Sequence, residues 1–295
     1  MINRIRPYMM PIAMLIGGLF YNVFSHLSFL TPYLIFTMLL LTYCNLSLKK
    51  IRFSQLHFWL ICIQLIGSLT VYFILKPINL LIAQGTFICI LAPTATSAPV
   101  ITRILKGNVE SLIAYSLLCN LTVAIVAPIL FSYIGSYQEM PFSESLMIIG
   151  KQVGVILLGP FILAIVLRKI FPSVEQKGAL FSTISFFLWC FALMVVTSKI
   201  IDFILQQGTG NYKIEILIAC CSFIICASQF IVGRKIGRKY NNTIAGGQGL
   251  GQKNTILAIW MAQTYLNPVS SIGPGAYVLW QNIINSYQLW RDRNK

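Results

Sequence analysis

The chain has 295 residues, 57% hydrophobic and 10% charged, with a mean hydropathy of +0.78. An ordinary soluble domain carries roughly 25% charged residues, so the composition excludes one. Formal net charge is +15, from 22 Lys and Arg against 7 Asp and Glu. In a soluble protein that balance invites a nucleic-acid partner; here the basic residues lie between apolar blocks, as cytoplasmic loops of a membrane protein require, and no nucleic acid is expected.

A membrane-spanning helix needs about 20 apolar residues, and blocks of that length run nearly end to end. Turn and charge signals delimit ten spans, near 8–30, 33–48, 57–75, 79–105, 109–134, 144–167, 179–205, 214–233, 240–266 and 270–290. Met1 to Pro7 run straight into the first span, with no shorter apolar core and small-residue cleavage site, so no cleaved signal is expected. A cytoplasmic N-terminus collects 17 of the 22 basic residues on that face: Arg4, Arg6, Lys49, Lys50, Arg52, Arg103, Lys106, Arg168, Lys169, Lys177, Arg234, Lys235, Arg238, Lys239, Arg291, Arg293 and Lys295. The other face keeps Lys76, Lys199 and Lys213. This asymmetry predicts both termini in the cytoplasm.

The acids Glu110, Glu139, Glu144, Glu175, Asp202, Glu215 and Asp292 all fall in loops or at span ends. No carboxylate is predicted at mid-membrane depth, where proton and sodium carriers commonly place one. The 8 cysteines sit inside apolar segments without zinc or disulfide spacing and read as small hydrophobes. His26 and His57 read as interfacial residues at span ends, and no metal site is expected. Lys151, near the outer end of span six, reads as a snorkelling side chain.

Two spans are interrupted. The fourth contains Ala92-Pro93-Thr94-Ala95-Thr96-Ser97-Ala98-Pro99, whose two prolines remove backbone donors and push preceding residues out of helical geometry. The ninth contains Thr243-Ile244-Ala245-Gly246-Gly247-Gln248-Gly249-Leu250-Gly251-Gln252-Lys253-Asn254, with Gly246, Gly247, Gly249 and Gly251 expected to break the helix. Dividing the chain near Glu139 leaves five spans on each side, with a break in the fourth of each half. An odd number per half inverts the second relative to the first, and matched interruptions in inverted halves point to a transporter's central site. Half-helices beginning near Ala98 and Asn254 then aim positive dipole ends at the midplane, suiting an anion, while the halves before them offer carbonyls to a cation.

At these residues the sequence resembles the bile acid:sodium symporter family. The stretch from Pro93 to Val109 resembles its P-G-G-T-x-S-N-V-x-T-x-L-x-[KR]-G-[ND]-V segment, Gly251 to Ala258 its E-x-G-x-Q-N-S-x-L-A segment, and Trp280-Gln281-Asn282-Ile283 the W-H-N-I of its last span. Spacing agrees over the whole chain; auxin-carrier-like relatives are the neighbouring alternative. The resemblance implies an all-α membrane protein of ten transmembrane helices in two inverted five-helix repeats, about 1–138 and 139–295 of a single transporter domain. It further implies crossing broken helices 4 and 9, and alternating access between a panel (spans 1, 2, 6 and 7) and a core (spans 3–5 and 8–10). The expected setting is a bacterial-type cytoplasmic membrane.

Carried over by motif, Thr96, Asn254 and Asn282 are the substrate-contacting positions, with Gln281 replacing the family's neighbouring His. The family's sodium ligands align with Ala98, Pro99, Leu112, Gly249 and Lys253, leaving Gln64 and Ser116 as matches. No bound cofactor is implied, and sodium is doubtful. Lys253 suggests the replacement: a charged residue at the helix centre costs about 2.5 to 3.5 kcal/mol, so an ammonium beside the crossing reads as a built-in cation and counter-charge for an anionic substrate. Burial also disfavours the charged form, so a proton-coupled variant stays open beside a sodium-coupled symporter. Asn120, Thr122, Gln248 and Gln252 are further cavity polars, with helix packing as their plainer role. No nucleophile with a base, carboxylate pair or metal cluster supports an intramembrane enzyme. A channel and a vestigial carrier acting as a sensor fit the paired breaks less well. The expected partners are a small organic anion, bile-acid-like or a small carboxylate, and the bilayer, with no protein partner.

Overall fold

In hydrocarbon every backbone polar group must find a partner within protein, and a helix supplies one locally. The computed structural model describes residues 2–44, 52–135, 140–171, 178–207 and 212–293, which contain helices and no strand. Lys49, Lys50, Glu139, Glu175, Lys177 and Lys295, and the side chains of Arg4, Arg6 and Arg293, lie outside the described residues.

In chain order the helices are α1 (Ile2–Leu19), α2 (Tyr21–Phe24), α3 (Thr31–Cys44), α4 (Gln55–Leu75), α5 (Leu80–Leu91), α6 (Ala98–Ile104) and α7 (Val109–Ile134). There follow α8 (Phe142–Leu157), α9 (Gly159–Ile170), α10 (Gly178–Gln207), α11 (Tyr212–Lys239), α12 (Thr243–Gly251), α13 (Thr255–Tyr265) and α14 (Ile272–Arg293). The segments Tyr21–Cys44, Gln55–Leu75, Val109–Ile134, Phe142–Ile170, Leu180–Leu205 and Tyr212–Lys239 are long and apolar enough to cross a membrane.

The burial pattern names the solvent. On α4 the buried face carries His57, Leu60, Gln64, Ser68 and Tyr72 at three- and four-residue spacing, while Phe58, Trp59, Ile66, Phe73 and Ile74 point outward. Polar groups face in and apolar groups face out, the reverse of a helix on a water-soluble protein. Lipid favours this arrangement and water does not. The chain is an all-α, multi-pass integral membrane protein.

Three local differences from the sequence reading have simple causes. The first block is not one helix: α1 ends at Leu19, and a 3-10 turn over Ser25–Leu30 precedes α3. The sixth is divided between α8 and α9, where Pro160 occupies the first turn of α9 and brings no N–H for a continuing ladder. The glycines expected to break the ninth span instead lie in a helix: Gly246, Gly247, Gly249 and Gly251 belong to α12, and the break is Gln252 to Asn254. Their small size serves contact. A β-carbon on Gly246 would collide with the carbonyl oxygen of Gly233, and one on Gly233 with that of Gly246, so α11 and α12 touch backbone to backbone.

The chain divides into two compact units, Met1–Leu46 with Lys151–Asn211, and Ser47–Gly150 with Tyr212–Lys295. In the first, α10 packs against α1, α2 and α3, and α3 against α9. Gly17 admits the backbone of Met194 beside α1. Phe24 meets Phe191, and Tyr43 meets Phe161, edge to face at 6.3 and 5.5 Å. In the second, α5 is the central element, buried at every residue from Ile82 to Leu91 and surrounded by α4, α11, α13 and α14.

The close approach of α11 and α12 sets a test. Gly246→Val is expected to lower unfolding stability by about 1–3 kcal/mol through overpacking, seen as a lower melting temperature in detergent. Gly154→Ala, where a β-carbon meets no described atom within 4 Å, is expected to be neutral or slightly stabilising. Equal effects of the two substitutions would contradict this packing.

Candidate functional site

The two interruptions meet inside the second unit and satisfy each other's backbone. Helix α5 ends at Leu91, the chain turns out at Ala92, and α6 begins at Ala98. Across from it, α12 ends at Gly251 and α13 begins at Thr255, with Asn254 capping it by accepting from the Leu257 N–H at 3.3 Å. The Ala95 N–H donates to Gln252 O at 2.9 Å and the Asn254 N–H to Pro93 O at 2.8 Å, so Thr94 and Lys253 face each other as an antiparallel bridge. These bonds account for non-helical backbone buried within a membrane protein.

Side chains repeat the reciprocity. Thr94 Oγ1 donates to Gly249 O at 2.9 Å, four residues before Lys253. Lys253 Nζ donates to Ile90 O at 2.9 Å, four residues before Thr94. Each bridge residue caps the half-helix that leads into the other. One does so with a neutral hydroxyl and the other with an amine.

The remaining carbonyls at the end of α5 are capped as well. A helix leaves its last four C=O groups without intrahelical partners. Here Gln229 Nε2 donates to Cys89 O at 3.2 Å, and Gln64 Nε2 to Leu91 O at 2.7 Å and Ala92 O at 3.2 Å. Gln64 is held in turn by Tyr115 OH and the Cys119 thiol, which donate to its Oε1 at 2.8 and 3.2 Å. On the α12 side, Tyr277 OH donates to Gly251 O at 2.8 Å and accepts from Gln229 Nε2 at 3.1 Å. Fixed protein donors thus occupy the helix-end oxygens on which a cation could otherwise sit.

Of the residues singled out from sequence, the crossing gathers Lys253, Gln281, Gln64, Gln252, Thr96 and Asn254. Lys253 is 1% exposed, and its backbone N–H donates to Gln281 Oε1 at 2.9 Å. Its side-chain amine donates to Ile90 O at 2.9 Å. Gln252 Nε2 donates to Ser97 Oγ at 2.9 Å, and its buried Oε1 has no partner among the described residues. Thr96 and Asn254 are half-buried on the breaks, and Pro93 and Pro99 flank the first one. Asn282 is not brought to this network: its Nδ2 donates to Val278 O on its own helix at 2.6 Å. Gln248 joins another cluster, donating to Asn285 Oδ1 and Gln288 Oε1 at 3.0 and 3.1 Å. Ser116 is half-buried and contributes its carbonyl, which accepts from Asn120 Nδ2 at 2.7 Å.

Thr94, Tyr115, Cys119, Gln229 and Tyr277 were not legible as site residues from sequence. Thr94 shares its place between the two prolines with Ala95, Thr96, Ser97 and Ala98, and nothing in the sequence sets it apart. The others are single polar positions on long apolar helices, and only packing shows that they converge. Cys119, read as a small hydrophobe, is a hydrogen-bond donor, and His57, read as interfacial, is 1% exposed. His57 Nδ1 accepts from the Ser54 N–H at 3.2 Å in the cap of α4, and its Nε2 lies 2.9 Å from Ser111 Oγ.

An apolar exterior, a buried cluster of polar side chains, and two interrupted helices capped on each other within it define a transmembrane transporter. The particular kind follows from the sequence around the first break: the sequence model of the sodium bile acid symporter family matches residues 31–207, more than half of the chain. The protein belongs to that family. Among curated proteins none matches the chain.

Gln64→Leu removes one donor serving two carbonyls and the acceptor of two others. It is expected to destabilise the second unit by about 2–3 kcal/mol, since buried polar groups are left without partners. Thermal unfolding in detergent measures this, and an unchanged melting temperature would show that Gln64 is not a structural cap.

Proposed function

We propose that the protein is a secondary carrier of an organic anion, bile-acid-like or a small carboxylate, that works by alternating access without sodium, with Lys253 as its built-in cation. The observation that carries this reading is the Lys253 ammonium on Ile90 O at 2.9 Å, beside carbonyls already capped by Gln64 and Gln229. A buried lysine costs about 2.5 to 3.5 kcal/mol on the insertion scale. A charge-assisted hydrogen bond contributes about 1.5–3 kcal/mol, and a helix C-terminus up to about 2. Both describe the one contact with the end of α5, which offsets part of the cost, and in the proposed cycle the amine is held as an ammonium. The crossing then carries net positive charge facing the N-terminal end of α13, which favours an anion at the midplane.

Ten spans in two inverted repeats are part of the same reading. The exchange of caps between Thr94 and Lys253 supports it, because each residue stands in the other's place relative to its own half-helix. The division at Leu46, Gly150 and Asn211 supports a panel of spans 1, 2, 6 and 7 and a core of spans 3–5 and 8–10, one moving relative to the other during transport. Thr96, Asn254, Asn282, Gln281 and Lys253 are the proposed substrate-binding residues, and Gln281 also accepts from the Lys253 backbone N–H. The basic loops support cytoplasmic termini in a bacterial-type inner membrane. This is a carrier and not an enzyme.

Uptake of radiolabelled taurocholate and of radiolabelled pyruvate into proteoliposomes, with sodium replaced throughout by choline, tests the reading. The expected result is saturable uptake of at least one probe at an unchanged rate. Collapse of uptake in choline would restore a sodium-coupled symporter and remove the role given to Lys253.

A further inference from the structure

The crossing holds a positive charge that can leave only as a proton. Lys253 is part of the chain, 1% exposed, and bonded to a neutral carbonyl. Among the described residues Lys253 forms no ion pair with a carboxylate. The half-buried cation Arg234 of the same unit likewise donates to a neutral group, Gln288 Oε1, at 2.7 Å.

A carrier that recruits its cation from solution can discharge ion and cargo together and return empty and neutral. This chain discharges only cargo. An empty return moves an uncompensated ammonium through the low-dielectric middle of the membrane, whereas a loaded return moves that charge paired with an anion. We infer that the protein is an obligatory exchanger of organic anions, turning round only with cargo aboard, and that monoanions, which match the single charge of Lys253, are its favoured substrates. The inference rests on the carrier reading above and narrows it.

The test uses the full chain in liposomes loaded with radiolabelled taurocholate or radiolabelled pyruvate, in choline medium, with potassium and valinomycin holding the membrane potential at zero. Release of label is timed with and without the same unlabelled anion outside. Exchange is expected to outrun net release by about tenfold, the part of the lysine's insertion cost that its carbonyl cap leaves uncovered converted to a rate ratio. Equal saturable release under both conditions overturns the exchange inference and leaves the carrier reading standing. Net release raised to the exchange rate by a proton gradient also overturns it, because the ammonium would then shed its charge on the return. Absence of saturable flux with both probes removes the carrier reading and the inference together.

Two variants locate the cause. In Lys253→Met the ratio of exchange to net release is expected to fall toward one, whatever the absolute rates, while Lys253→Arg keeps it high. A Lys253→Met protein that elutes as a monodisperse species and retains the wild-type ratio overturns the assignment to Lys253. If that variant does not fold, the wild-type ratio decides alone.

Discussion

Two short stretches of non-helical backbone, buried inside a membrane protein, exist because they bond to each other. The pair of main-chain bonds between Pro93–Ala95 and Gln252–Asn254 gives the broken helices the partners that lipid cannot supply. That constraint fixes where α5 and α12 stop, where α6 and α13 start, and which side chains reach the ends. Because Thr94 and Lys253 face each other across the bridge, each lies within reach of the carbonyls preceding the other.

The same constraint explains why polar residues of the second unit turn inward. Gln64 from α4, Tyr115 and Cys119 from α7, Gln229 from α11 and Tyr277 from α14 all serve the ends of the two inner half-helices, directly or through one neighbour. In water these amides and hydroxyls would gain little from such contacts. In hydrocarbon an unpaired buried carbonyl costs several times what its bond contributes on balance, so a network of donors around α5 is the cheaper state. The outward faces are left to apolar side chains.

In the proposed cycle the difference between Thr94 and Lys253 is the functional asymmetry. The two caps are alike in geometry and unlike in charge. A hydroxyl satisfies a carbonyl and adds nothing to the field. An ammonium satisfies a carbonyl and also sets a fixed positive charge at the C-terminal end of α5, where a mobile cation can otherwise come and go.

Composition and charge pattern alone determined that this is a helical membrane protein interrupted in its fourth and ninth apolar blocks, because bilayer thickness and backbone pairing leave few alternatives for such a sequence. The resemblance at Pro93 to Val109 pointed to the family whose sequence model matches residues 31–207. Lys253 stood out because a lone charge in an apolar block has no cheap explanation. What sequence did not disclose was the work of the glycines, which are helical and admit α11 against α12, or which polar residues meet. Gln281 reaches the crossing and its neighbour Asn282 bonds within its own helix, although both sit in one motif. Such outcomes depend on distances between segments far apart in the chain. A span's apolar length is a local property set by the thickness of the bilayer, whereas the partner of a buried donor is decided only when several helices pack and each carbonyl takes whichever group arrives within three ångströms or so.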